Sequence, residues 1–189
     1  NVDSSGNVGP DPSLAVVDGN PGISYNAASG ALKFVRAQDG VGSSWSAAVM
    51  VSASGSGGSL REVGGRPAIA FYDSAGGDLK FAWAGDSAGS TWPVAQQVAI
   101  DAGSANVGIH SSMAIVDGLP AVAYRDTSAS SLKYAALPSA DWTASTGGAA
   151  PILASGVKDG GVREAMLSPD IGVWAKSGDD LCYNQGRSE

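Results

Sequence analysis

Apolar and polar residues alternate along this chain in short runs, and the runs recur. Residues 13–25 read SLAVVDGNPGISY, 59–72 SLREVGGRPAIAFY, 111–124 SSMAIVDGLPAVAY and 162–174 VREAMLSPDIGVW. In each, two strand-like runs flank a turn. DG, GG and NPG supply turns at the points where the backbone needs unusual angles. A second short strand follows each hairpin: ALKFVRA at 31–37, DLKFAWA at 78–84, SLKYAAL at 131–137 and DLCYNQG at 180–186. Period-two alternation in LKF and LKY sets Leu and the aromatic ring on one face and Lys on the other. The first three units then reach a tryptophan (Trp45, Trp92, Trp142) and a further apolar run, at 47–53, 93–100 and 150–155. No stretch combines a 3.6-residue period with helix caps. The pattern predicts an all-β chain.

The repeat has a measurable period. Leu32 to Leu79 is 47 residues, Leu79 to Leu132 is 53, and Leu132 to Leu181 is 49. A period near 50 holding four short strands is the signature of a propeller blade, not of a helical solenoid. The expected fold is a β-propeller of about four four-stranded blades within one domain, 1–189. The units run roughly 10–55, 56–104, 105–156, and 157–189 with 1–9. A longer period lies over the first. Asn7-Val8-Gly9 recurs as Asn106-Val107-Gly108 and Val17-Asp18-Gly19 as Val116-Asp117-Gly118, both at an offset of 99. Arg61-Glu62 recurs as Arg163-Glu164 and Asp78-Leu79 as Asp180-Leu181, both at 102. Pseudo-two-fold pairing of blades is therefore expected. VDSSGNVG at 2–9 matches the tail of a fourth strand, IDAGSANVG at 100–108, so the N-terminal segment can complete the last blade and close a ring. A two-chain or larger assembly, or another all-β packing, remains an alternative.

Composition sharpens this picture. The chain holds 31 Ala, 27 Gly and 27 Ser among 189 residues, so its 43% hydrophobic content leans on alanine. Tiny residues suit closely packed strands and turns. With 11 Lys+Arg against 18 Asp+Glu the net charge is -7, which argues against a nucleic-acid binder. No window approaches a membrane span, and no signal peptide is evident. One cysteine, Cys182, rules out an internal disulfide framework and a cysteine-based zinc site. Low Lys, acidic charge and abundant Ser and Gly point to a secreted or cell-surface protein.

The consensus S-L-x-V-x-D-G-x-P-x-I-[AS]-[FY]-x-[DN]…G-[DA]-L-K-[FY]-A resembles the blade repeats of bacterial secreted β-propeller proteins over nearly the whole chain. Two segments, DGVGSSW at 39–45 and DSAGSTW at 86–92, are similar to the Asp-box turn of sialidase-type propellers. The aspartate lies one residue further from the tryptophan than in that family. The resemblance implies a fold element remote from catalysis, and propellers host lectins, hydrolases and scaffolds alike.

The candidate ligand-binding residues are Arg61, Glu62, Arg163, Glu164, Trp45, Trp92 and Trp142. The Arg-Glu pairs interrupt strands that are apolar in the other units. On strands lining a central channel they would offer guanidinium forks to an anion or carboxylate, or satisfy one another. The tryptophans sit beside loops, where a ring face can stack on a sugar or simply pack. The series Tyr25, Phe71, Tyr124, Trp174 and Phe34, Phe81, Tyr134, Tyr183 recurs in every unit and reads as core. His110, the single histidine, reads as a loop residue, without the partners of a triad or a metal site. Turns such as DSAGGD at 73–78 are conceivable calcium ligands, but EF-hand spacing is absent and turn chemistry explains them. Cys182 replaces the repeat lysine and is a candidate for an intermolecular disulfide. These features favour a non-catalytic binding module, lectin-like or for protein ligands, without cofactor and with a homo-oligomer as one option. The alternatives are a propeller glycoside hydrolase or lyase, or a structural part of a larger propeller.

Overall fold

The computed structural model describes residues 1–6, 8–102 and 106–137, together with the backbone of 175–177 and 180–182. The described residues are all-β apart from one 3-10 turn, Val94–Gln96. Strands β1 (Ser13–Val17), β2 (Asn20–Asn26), β3 (Leu32–Arg36) and β4 (Val49–Ser52) form sheet 1 in that order. Strands β5 (Gly55–Val63), β6 (Arg66–Asp73), β7 (Asp78–Trp83) and β8 (Gln97–Asp101) form sheet 2 in the same way. Strands β9 (Val107–Val116), β10 (Leu119–Asp126) and β11 (Ser131–Ala136) form sheet 3. A two-stranded sheet pairs β12 (Ala175–Ser177) with β13 (Asp180–Cys182). Every pairing is antiparallel and joins neighbours in sequence.

The turns explain this connectivity. Asp18-Gly19 and Asp117-Gly118 both hold left-handed angles (φ 47 and 77, φ 50 and 77), as a two-residue hairpin turn requires. Gly64-Gly65 does the same at φ 57 and 72. Leu14–Ile23, Leu60–Ile69 and Met113–Val122 are register pairs in the three hairpins, so the hairpins are superposable position by position.

Two apolar cores lie between the sheets. Val17, Leu32, Phe34 and Val51 of sheet 1 pack on Leu60, Ile69, Phe71 and Ala82 of sheet 2. Leu79, Phe81 and Val63 of sheet 2 pack on Val107, Met113, Val122 and Tyr124 of sheet 3. The alternation read from LKF is therefore the observed one: Leu32 and Phe34, like Leu79 and Phe81, are buried, while Lys33 and Lys80 are only partly covered. Burying one such Leu or Phe contributes roughly 1.5–3 kcal/mol.

The first strands of neighbouring sheets run side by side and are fastened by serines. Ser13 Oγ accepts from the Leu60 amide at 3.0 Å, and Ser59 Oγ accepts from the Met113 amide at 2.9 Å. Ser13 and Ser59 occupy one register position, opposite Ser24 and Ala70. Each donor is an amide the ladder of its own sheet leaves free, so the same short side chain serves at each seam.

Two sequence expectations need adjustment, and others fall outside the described residues. The run at 150–155, read as the last strand of the third unit, lies outside the described residues, as do Trp142, Arg163, Glu164, Trp174 and Tyr183. In the last hairpin Ala175, not Trp174, faces Cys182, whereas Tyr25, Phe71 and Tyr124 face Lys33, Lys80 and Lys133. The β12–β13 pairing is thus one residue away from the aromatic series. Tyr134, expected in a core, is 50% exposed because sheet 3 has no described sheet on that side.

Candidate functional site

Arg61 and Glu62 lie on β5, the first strand of sheet 2, between the first strands of sheets 1 and 3. Arg61 pairs with Ala68 across its hairpin, and the same position is Ala15 in sheet 1 and Ala114 in sheet 3. Arg61 shares its side of β5 with Ser59 and Val63, the side turned to sheet 3. Its one described hydrogen bond runs from Nη1 to the Leu60 carbonyl at 2.6 Å. Four further donor hydrogens of the fork are left for a ligand or water. Glu62 points the other way. Its Oε2 accepts the Asp18 amide of sheet 1 at 2.5 Å. Beside it, Arg36 donates from Nε to the Val17 carbonyl (2.8 Å) and from Nη2 to the Asp18 carbonyl (2.6 Å). Arg61 and Glu62 are adjacent in sequence but serve different seams, and no ion pair joins them among the described residues.

The two Asp-box-like turns have matching geometry. Asp39 Oδ1 accepts the Val41 and Ser43 amides at 3.1 and 3.0 Å, and its other oxygen accepts the Ser43 hydroxyl. Asp86 accepts the Ser90 amide (2.9 Å), the Ser90 hydroxyl (2.6 Å) and the Thr91 hydroxyl (3.1 Å). In both, the tryptophan indole N–H donates to the carbonyl of the turn glycine at 3.0 Å, Trp45 to Gly42 and Trp92 to Gly89. These bonds hold both carboxyls below their ordinary range; at Asp86 burial pushes the other way and is outweighed. Trp92 is 8% exposed and lies against Phe34 with ring centroids 5.3 Å apart. Its ring faces are taken by the chain itself. Trp45 is partly exposed.

Part-buried ionic clasps tie the outer parts of the sheets together. Tyr124 donates its hydroxyl to Asp101 Oδ2 at 2.8 Å, and Lys133 Nζ lies 3.2 Å from the same oxygen and 2.8 Å from Asp126. The pattern repeats at the start of the chain: Tyr25 donates to Asp3 Oδ2 at 2.6 Å and Lys33 Nζ lies 3.5 Å away. Desolvation and the facing carboxylate raise both tyrosines well above their ordinary value. The hydroxyl of Tyr25 and its neighbour Ser5 lower the Asp3 carboxyl. In sheet 2, where Phe71 has no hydroxyl, the clasp is Asp73 with Lys80 Nζ at 2.5 Å and the Ser54 hydroxyl. Asp73, the leading carboxylate of the 73–78 turn, is engaged by Lys80 and the Ser54 hydroxyl. No group of three metal-ligating side chains occurs among the described residues.

One recurrence escaped the sequence reading. Asp11 (φ 49), Gly57 (φ 60) and His110 (φ 55) are left-handed residues two positions ahead of Ser13, Ser59 and Ser112. In β5 and β9 they sit where the pairing skips a residue, the geometry of a bulge. His110 is thus an exposed residue at a bulge within β9 rather than part of a loop. The offset of 99 between Asp11 and His110 was the available signal, hidden because the two side chains differ chemically. No family model matches the chain, and no curated protein is similar enough to stand as a relative.

Proposed function

We propose that the repeated sheets are blades of a β-propeller, about four in number, and that the protein is a non-catalytic binding module for an anionic carbohydrate or protein ligand. The observation that carries this reading is Arg61: a partly exposed guanidinium at a seam of first strands, spending one donor on a backbone carbonyl, with alanines at the equivalent positions of both neighbouring sheets. Alanine neighbours leave room for a ligand carboxylate or sulfate, and a guanidinium binds such a group with two parallel bonds. Trp45 offers a second, apolar contact of the kind sugars use.

The test is a glycan array that includes uronic and sulfated sugars, followed by titration calorimetry with the best binder. Arg61→Ala is expected to weaken that binder at least tenfold, which corresponds to the ~1.5–3 kcal/mol of a hydrogen bond to a charged group. Binding should also fall as salt rises. Turnover of a glycoside substrate by the wild-type protein, lost in a carboxylate variant, would instead establish the hydrolase alternative.

A further inference from the structure

Sheets 1 and 3 each present an apolar face that the sheet repeat elsewhere covers. Leu60 and Met113 are fully buried by the sheet before them, while Leu14, at the same register position, is 66% exposed. Leu32 and Leu79 are fully buried by the sheet after them, while Leu132 is 83% exposed. We propose that both faces are seats for one further sheet of this same chain, built on the β12–β13 hairpin with residues 1–3 as its outer strand and Asn1 opposite Cys182. The proposal rests on the propeller reading and adds to it the occupant and its register.

Three observations identify the occupant. The first is Asp3. Its counterpart Asp101 is the last residue of β8, the outer strand of sheet 2, and reaches forward to Tyr124 and Lys133 of the next sheet. Asp3 makes the same two contacts to Tyr25 and Lys33. Residues 1–3 therefore stand towards sheet 1 as the end of an outer strand stands towards the sheet that follows it. The second is glycine. Gly108 has φ +100, and a Cβ there would meet Leu79 Cα at 2.8 Å, because the preceding sheet lies directly on it. Gly9 has φ +109 with nothing within 4 Å. The same backbone is in place, with no described sheet pressing on it. The third is register. Lys176 faces Leu181 and Ala175 faces Cys182 as Tyr72 faces Leu79 and Phe71 faces Lys80. In sheet 2 the outer strand sets Asp101 opposite Leu79 and Ala99 opposite Lys80. The same register sets Asp3 opposite Leu181 and Asn1 opposite Cys182.

Directly opposed residues in antiparallel strands lie ~4.5–5.5 Å apart at Cα, within the reach of a disulfide. The experiment is Asn1→Cys in the full chain, oxidised at low protein concentration, with Cys182→Ser in the same background as control. The expected product is a monomer that has lost two hydrogens to one internal disulfide. Peptide mapping should join residue 1 to residue 182, and the control should form no such bond. A disulfide-linked dimer would show that a second copy supplies the strand and would overturn the proposal. Two free thiols in a protein that retains its β-sheet circular dichroism would overturn it too. Leu14→Lys and Leu132→Lys separate this outcome from failure of the propeller reading. Both should lower the melting temperature by several degrees if the faces are covered by any sheet, and leave it unchanged if they face solvent.

Discussion

The tyrosine-carboxylate-lysine clasps make the fold sensitive to pH at both ends of the scale. Asp3 and Asp126 have carboxyls below their ordinary 3.8, Asp3 chiefly through the Tyr25 hydroxyl and Asp126 chiefly through Lys133. A carboxyl lowered in the fold stabilises it above pH 3.8, and that contribution is lost as pH falls further. Tyr25 and Tyr124 run the opposite way: raised above 10.0, they favour the fold below that pH and lose the advantage as pH rises through the folded value. The melting temperature should therefore be flat between these limits with respect to these groups and fall on either side. Tyr25→Phe with Tyr124→Phe should flatten the alkaline fall in a thermal scan series. Tyr124→Phe alone should cost about 1–2 kcal/mol at neutral pH, measured by urea unfolding, because it leaves Asp101 short of a donor. The alternation of Leu, Lys and aromatic was enough to place Lys33 and Lys133 on one face, but the sequence does not say which carboxylate they meet. Asp3 is 30 residues from Lys33 and Asp101 is 32 from Lys133, so neither partner can be inferred from spacing.

At the scale of strands and turns, glycine and serine decide how closely the sheets approach. Gly108→Ala should destabilise strongly, since both its backbone angle and the Leu79 backbone reject a Cβ. Gly118→Ala meets the angle penalty only, in open space, and should cost about 1 kcal/mol. Equal losses in the two variants, measured by denaturant unfolding, would show that sheet contact contributes little at Gly108. Ser59→Ala should cost about 1–2 kcal/mol by leaving the Met113 amide without its acceptor in a buried seam. The hairpins themselves were legible because turn chemistry and period-two alternation are local signals. DG and GG at the turns and Leu or Met on the inner strand specify β1–β2, β5–β6 and β9–β10 almost residue by residue. The seams were not legible, since a serine that bonds an amide 47 or 54 residues away looks like any other serine in a strand.

The same contrast holds for the molecule and its candidate site. Four repeats of near-equal length predicted successive sheets, and sheets 1 and 2 have four strands each in sequence order. Arg61 and Glu62 stood out as charges in an apolar run. Their division between two seams was not visible, because alternation assigns opposite faces but not the neighbours those faces meet. Trp92 shows the limit from the other side. A tryptophan beside a loop reads as available, yet Phe34 of the preceding sheet occupies its face. At this scale the expected consequence of Arg61→Ala is a loss of ligand with little loss of stability, since its single backbone bond is to its neighbour Leu60.

Every strand of sheets 1, 2 and 3 pairs only with strands next to it in sequence, and the crossings from β4 to β5 and from β8 to β9 are short. No strand has to be threaded between two that are already paired. A genome can therefore lengthen or shorten such a chain by whole sheets, through unequal recombination between repeats, without breaking a hairpin. The offsets of 99 and 102 are each two repeats long, the spacing such an event would leave. The Asp-Tyr-Lys clasp stands before sheets 1 and 3, whereas sheet 2 has Phe71 in place of the tyrosine, so two repeats added together keep that clasp in step. Gain of a single sheet would instead set a clasp carboxylate opposite a sheet without its tyrosine.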